Sequence, residues 1–228
     1  MRRTSSKFAQ LGALSRVPRD IDAGVLSHAH LDHGGYLPVL VRDGFRGQII
    51  CTKPSRDLAE IMLLDSAHLL EEEARCANLL DYRKHKPAGP LDTVADVRRC
   101  LKQFAPLDWG QRDRVGPVNV ELSRAGHLLG AAVVTLAHRK RRLVFSGDLG
   151  RRDDLLVAPL AAIRTADVLL VESTYGNRLH PRVSVPDVPA EIIRHTAAGG
   201  GTDAVIRGGS RAGNAAVPGW PKEGGAHS

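Results

Sequence analysis

The run Ala23-Gly24-Val25-Leu26-Ser27-His28-Ala29-His30-Leu31-Asp32-His33-Gly34-Gly35 crowds three histidines and an aspartate into six positions, directly behind a short apolar segment. In extended backbone His28 and His30, two apart, share a face. The turn announced by Gly34-Gly35 lets Asp32 and His33 swing toward the same point. Such a group is a poor component of an apolar core. A buried imidazole needs hydrogen-bond partners, and an unpaired buried carboxylate is expensive. Ligation of a metal ion removes both penalties. A single histidine here would read as an exposed or locally bonded side chain, whereas the four groups together point to a metal site.

Two further ligand candidates stand at comparable positions. His127 lies in Ala125-Gly126-His127-Leu128-Leu129-Gly130, just beyond a strand expected at 118–122. Asp148 lies in Ser146-Gly147-Asp148-Leu149-Gly150, beyond one expected at 143–145. Loops at strand ends commonly carry reactive groups, and their glycines let backbone come close to an ion. Nitrogen and oxygen ligation suits Zn²⁺, with Mn²⁺ or Fe²⁺ behind it. A carboxylate can bridge two ions, and an ion pair of this kind supports metal-assisted hydrolysis.

The chain has 228 residues, 43% hydrophobic and only 4% aromatic, which is enough for one sizeable core or two small ones. No apolar run nears the length of about 20 residues that spans a bilayer, so a membrane-spanning protein is not expected. Cys51, Cys76 and Cys100 are widely spaced and form no C-x-x-C pair. They read as free thiols of a reducing compartment, the cytoplasm. The net charge of +7 favours an anionic partner.

Helical and strand-like segments alternate along the body, the pattern of an α/β layered domain. The spacing of Leu58, Ile61, Met62, Leu64, Leu69 and Leu70 predicts a helix from Thr52 to about Lys86. A second helix starts at Thr93, with Asp96 completing a capping box and Val94, Val97, Leu101 and Phe104 as its apolar stripe. Strands are expected at 23–26, 48–51, 118–122, 131–137, 143–145 and 166–171, and a helix at 189–198. The turn His138-Arg139-Lys140-Arg141-Arg142 reads as a solvated hairpin tip or as a nucleic-acid contact. Residues 1–17 form a basic arm without acids and residues 207–228 a glycine-rich tail, both expected to be disordered.

The histidine run, together with Gly44-Phe45-Arg46-Gly47, Met62-Leu63-Leu64-Asp65-Ser66-Ala67-His68, the His127 and Asp148 loops and Glu172-Ser173-Thr174-Tyr175-Gly176, resembles the β-CASP branch of the metallo-β-lactamase fold. That branch contains RNA-processing nucleases related to RNase J and to the cleavage and polyadenylation endonuclease subunit. The likeness covers about residues 18–201. It implies an αββα four-layer sandwich with the active site along one edge of its two sheets. His28, His30 and His127 would hold one zinc, Asp32 and His33 a second, and Asp148 would bridge them. Asp32, Asp148 and Glu172 form the implied catalytic set, with Glu172 organising the site through hydrogen bonds. RNA phosphodiesters would be cleaved by a hydroxide held on the zinc pair. RNA is the expected partner and DNA, with the same phosphates, the second; a homo-oligomer is compatible with the sequence. His68 reads as a helix-surface residue beside Glu71 and Glu72, outside the ligand set.

Departures from the branch are expected to matter. Only 27 residues precede His28, with no early acidic strand motif, so the sandwich is expected to be incomplete. Residues 18–176 would form a partial lactamase domain and residues 177–206 the vestigial start of the β-CASP domain. The chain reads as truncated at both ends, without the final histidine ligand, which leaves one coordination place open. A thioester or lactam hydrolase of the same fold, and a non-catalytic metal-binding fragment, are the competing readings.

Overall fold

The structure is a computed structural model that describes residues 17–80, 87–151, 154, 156–177 and 187–199. It separates into two units, Met1–Glu172 and Ser173–Ser228. In the first unit, three short strands, β1 (Ala23–Val25), β2 (Gln48–Cys51) and β3 (Phe104–Pro106), form a parallel sheet with β2 in the middle. Parallel neighbours need crossovers, and these are helical. α1 (Leu31–Gly34) and α2 (Leu37–Arg42) lie between β1 and β2, and α3 (Lys53–Leu79) and α4 (Val94–Leu101) between β2 and β3.

Local chemistry sets the helix starts. Thr52 caps α3 by accepting the Ser55 amide at 3.2 Å, and Pro54 sits in the first turn, where its missing N–H costs nothing. Thr93 and Asp96 form the expected reciprocal capping box on α4. The large-residue stripe is only part of the face α3 buries: Leu58 and Leu64 pack against the core partly buried, but the fully buried positions are mostly small. Ser55, Ala59, Leu63, Ala67, Ala74 and Ala77 are buried, whereas Ile61, Met62 and Leu69 are exposed. Small residues at four-residue spacing let the helix lie close to its neighbours, so residue size marks this face better than hydrophobicity does. Ala59, Leu63 and Ala67 join Val41 of α2, Val97 and Cys100 of α4, and Phe45, Ile49 and Phe104 in one core.

The second sheet runs β4 (Arg112–Val115), β5 (Val118–Arg124), β6 (Ala132–His138), β7 (Arg141–Phe145), β8 (Val168–Leu170). Its pairs are antiparallel except β7–β8. Alternation decides what each strand delivers. Ile49 points into the helix layer, while Ile50 faces the second sheet and packs with Val120, Leu122, Ala132 and Val134. Helix, sheet and sheet thus stack as three layers. Among the described residues of this unit, no helix covers the outer face of the second sheet, the place of the fourth layer. Val168, Leu169, Leu170 and Val171 are each at least 50% exposed.

Two strands depart from the sequence expectations. Phe104 continues the three-residue spacing of α4 but belongs to β3, because Lys102 closes the helix with a last turn and Gln103 bridges to the sheet. β4, of sequence Arg-Asp-Arg-Val, lacks the alternation that marks a half-buried strand and lies at the sheet edge. The second unit contains α5 (Asp187–Ala198), which carries His195. The expected arm at 1–17, all but its last residue, the tail at 207–228, the end of the long helix at 81–86, and 178–186 and 200–206 of the expected 177–206 segment lie outside the described residues.

Candidate metal centre

Backbone ties bring three loops to one end of the sandwich. Beyond β1, the Leu26 amide donates to Ile50 at 2.9 Å and the Ser27 carbonyl accepts from Ala132 at 2.8 Å, which pins the His28 segment to both sheets. The β5–β6 loop closes through Ala125 N to Ala131 O at 2.9 Å, and the loop after β7 joins it through Gly150 N to Ala125 O at 3.0 Å. The two loops touch so closely that a Cβ on Gly150 would fall on the Gly126 carbonyl. Gly147, at φ +57°, makes the left-handed turn that presents Asp148. Glu172 accepts the Leu149 amide at 2.9 Å, while its own amide donates to Ser146 Oγ at 3.1 Å, so it braces the loop that carries Asp148.

The side chains converge. His28 Nε2 lies 3.0 Å from His30 Nδ1, and His127 Nε2 lies 3.4 Å from the same atom. Asp148 Oδ2 is 3.6 Å from both His28 Nε2 and His127 Nε2. Four ligand atoms around an ion with bonds of about 2.0–2.2 Å stand about 3.3–3.6 Å apart in a tetrahedron; these four separations are 3.0–3.6 Å, and all four ligand atoms lie within 4.8 Å of one another. Among the described residues, His28, His30, His127 and Asp148 are the group of histidine, cysteine and acidic side chains close enough to hold an ion. Asp148 Oδ1 turns the other way, 3.2 Å from His33 Nε2, which in turn lies 3.7 Å from Asp32 Oδ2. The Asp32 carboxylate is 77% exposed on the open side.

The electrostatics suit neutral ligands. His28 is fully buried. Burial, then the neighbouring charge of His33, lowers its pKa to about 4 against the opposing pull of Asp148. Above that pH its imidazole is neutral and offers a lone pair, the form a metal binds. Ser27, which sequence reasoning passed over, places its hydroxyl 3.2 Å from His28 Nδ1 and 3.1 Å from His33 Nδ1. It orients both rings with Nε2 toward the centre. Its only sequence signal is its place directly before His28. His68 is exposed on α3, and His138 bonds the Pro117 carbonyl at 2.9 Å on the far end of the second sheet.

The profile of the Metallo-beta-lactamase superfamily matches residues 1–185. The chain belongs to this superfamily. Its metallo-β-lactamase domain is 36% identical over 186 residues to Ribonuclease TTHA0252 of Thermus thermophilus, covering 81% of this chain and 39% of that one. It is 32% identical over 161 residues to the transcription termination factor FttA of Methanocaldococcus jannaschii, covering 69% and 23%. RNase aCSPSF2 of Saccharolobus solfataricus is 29% identical over 170 residues, covering 74% and 31%. The chain therefore spans well under half the length of these relatives. Among the described residues no helix is long and apolar enough to cross a membrane.

Proposed function

We propose that this metallo-β-lactamase domain is the metal-binding part of a β-CASP-type hydrolase that cleaves RNA phosphodiester bonds. The observation that carries the reading is that His28 Nε2 and His127 Nε2 both approach His30 Nδ1 and one oxygen of Asp148, while the other oxygen of Asp148 meets His33. In this reading His28, His30, His127 and Asp148 hold one ion, and Asp32, His33 and Asp148 hold a second. Zinc is the ion favoured by these ligands. Divalent ions so held lower the pKa of bound water and polarise a phosphoryl oxygen.

The protein's own groups supply the rest. Asp148 keeps the two halves of the site in register through its two oxygens. Asp32, open to solvent beside His33, is placed to take a proton. Glu172 keeps the Asp148 loop in place through the Leu149 amide. RNA as substrate is supported by relatives named as ribonucleases and by the net positive charge. A cytoplasmic location follows from that substrate and from the free cysteines.

The test uses the whole chain, purified and analysed for bound metal, then mixed with labelled single-stranded RNA with and without a chelator. Bound zinc and cleavage that the chelator abolishes are expected, and His127→Ala should lose both. Metal bound without chelator-sensitive cleavage of RNA overturns the hydrolase reading, as does hydrolysis confined to a thioester or a β-lactam. Equal cleavage of single-stranded DNA of the same sequence overturns the RNA preference.

A further inference from the structure

At the end of the second sheet opposite the histidines, β6 and β7 pair as His138↔Arg141, so Arg139 and Lys140 form a two-residue turn. Arg139 has φ +54° and is the one non-glycine residue with positive φ among those described. Glycine, asparagine or aspartate normally occupies such a turn position, because a Cβ there is crowded. An arginine held where glycine would be relaxed points to a use for its side chain.

The surrounding charges support this. Arg139, Lys140 and Arg141 are exposed, and among the described residues no acidic side chain pairs with any of them. Acids of the same sheet have other hydrogen-bond partners. Glu121 accepts from Arg112 at 2.9 Å, Asp167 from the Arg142 amide at 2.7 Å, and Asp113 from the Arg114 amide at 2.7 Å. Three successive cations therefore stand on a tight, preformed turn without an ion-pair partner among the described residues. β6 has seven residues, so at a rise of about 3.3 Å each the turn lies about 20 Å from the histidine loops. A single strand of RNA several nucleotides long is needed to cover that distance.

We propose that the Arg139–Arg141 turn is a remote contact for the phosphate backbone of single-stranded RNA whose scissile bond lies at the metal centre. This rests on the RNA-hydrolase reading. Such a contact is independent of base sequence, and its signature is salt dependence.

The experiment measures binding of a labelled 20-nucleotide single-stranded RNA to the whole chain by fluorescence anisotropy, in chelator and between 50 and 200 mM salt. For Arg139→Ala/Lys140→Ala/Arg141→Ala, the slope of log affinity against log salt should fall by about 2, as expected for three lost contacts to a single strand. Metal-dependent cleavage of a trinucleotide, too short to reach the turn, should be unchanged. Arg139→Gly should weaken binding of the 20-mer while raising the melting temperature by about 2–4 °C through relief of the backbone. Wild-type slope and affinity in the triple variant overturn the contact, as does unchanged affinity in Arg139→Gly. If the trinucleotide is cleaved normally in those cases, the hydrolase reading survives alone. If the triple variant loses slope while the wild type shows no metal-dependent cleavage, the contact survives and the hydrolase reading falls. Absence of any binding by the wild type overturns the contact, and metal-dependent cleavage then decides the hydrolase reading by itself.

Discussion

Asp92 lies just before α4, only 4% exposed, with Oδ1 meeting no donor. Burial, reinforced by the charge of Asp96, pushes its carboxyl up to about 6 despite Arg42 nearby. In the unfolded chain the same group titrates near 4. Between those values the folded protein keeps a proton that the unfolded chain releases. Its contribution is therefore fully present below about pH 4 and is lost as the pH rises through about 6. Asp92→Asn, neutral and of the same shape, should add about 2 kcal/mol of stability at pH 7.5 and almost nothing at pH 4. Urea denaturation at both pH values checks this, and equal curves at pH 7.5 would refute it. The metal candidates His28, His30, Asp32 and His33 stood out in the sequence only as a group, because a core has no use for four such side chains within six positions. Asp92 was not, because nothing in its neighbours announces that the α4 cap closes over it.

Helix α3 shows how far periodicity carries. Its start was readable from Thr52 and Pro54, and the capping box of α4 from Thr93 and Asp96. The buried face of α3 was not, since Ala59 and Ala67 read as neutral residues until a neighbouring element lies against them. Ala67 is fully buried in the helix-layer core. Ala67→Leu should therefore destabilise the fold by about 1–3 kcal/mol through overpacking, although leucine would raise the apparent amphipathicity of the helix. Ile61→Ala, at a position 65% exposed, should change stability by less than about 0.5 kcal/mol. Thermal melts of the two variants compare these directly, and the reverse order would mean that the large-residue stripe faces inward. Strands β3 and β4 escaped the sequence for a related reason. Three or four residues hold too few alternations to establish a period, and β4 is charged because it is an edge.

For the whole molecule, the ligand loops lie on both sheets, so an ion that binds them ties β1 to β5, β6 and β7 in the folded state only. Zinc at about 100 times its dissociation constant should stabilise the protein by about 2.7 kcal/mol. For a chain of this size that raises the melting temperature by about 5–10 °C. Differential scanning fluorimetry with zinc and then with chelator reads this directly. No shift, or a shift that His127→Ala retains, would show that the loops do not share an ion. The α/β class of the fold was legible from the alternation of helical and strand-like segments, and its layer order only from the resemblance of the ordered motifs. The gathering of the histidine turn with the two glycine-rich loops was legible only because all three follow strands. Their distances depend on backbone ties, such as Ser27 to Ala132, that no spacing reveals.

The Gly130 carbonyl accepts from both Thr52 Oγ1, at 2.7 Å, and Ser55 Oγ, at 2.9 Å, across more than seventy residues of chain. The first turn of the long helix and the loop bearing His127 are thus clasped to one another. An opening of the helix's first turn that breaks these two bonds therefore also frees that loop from the start of α3.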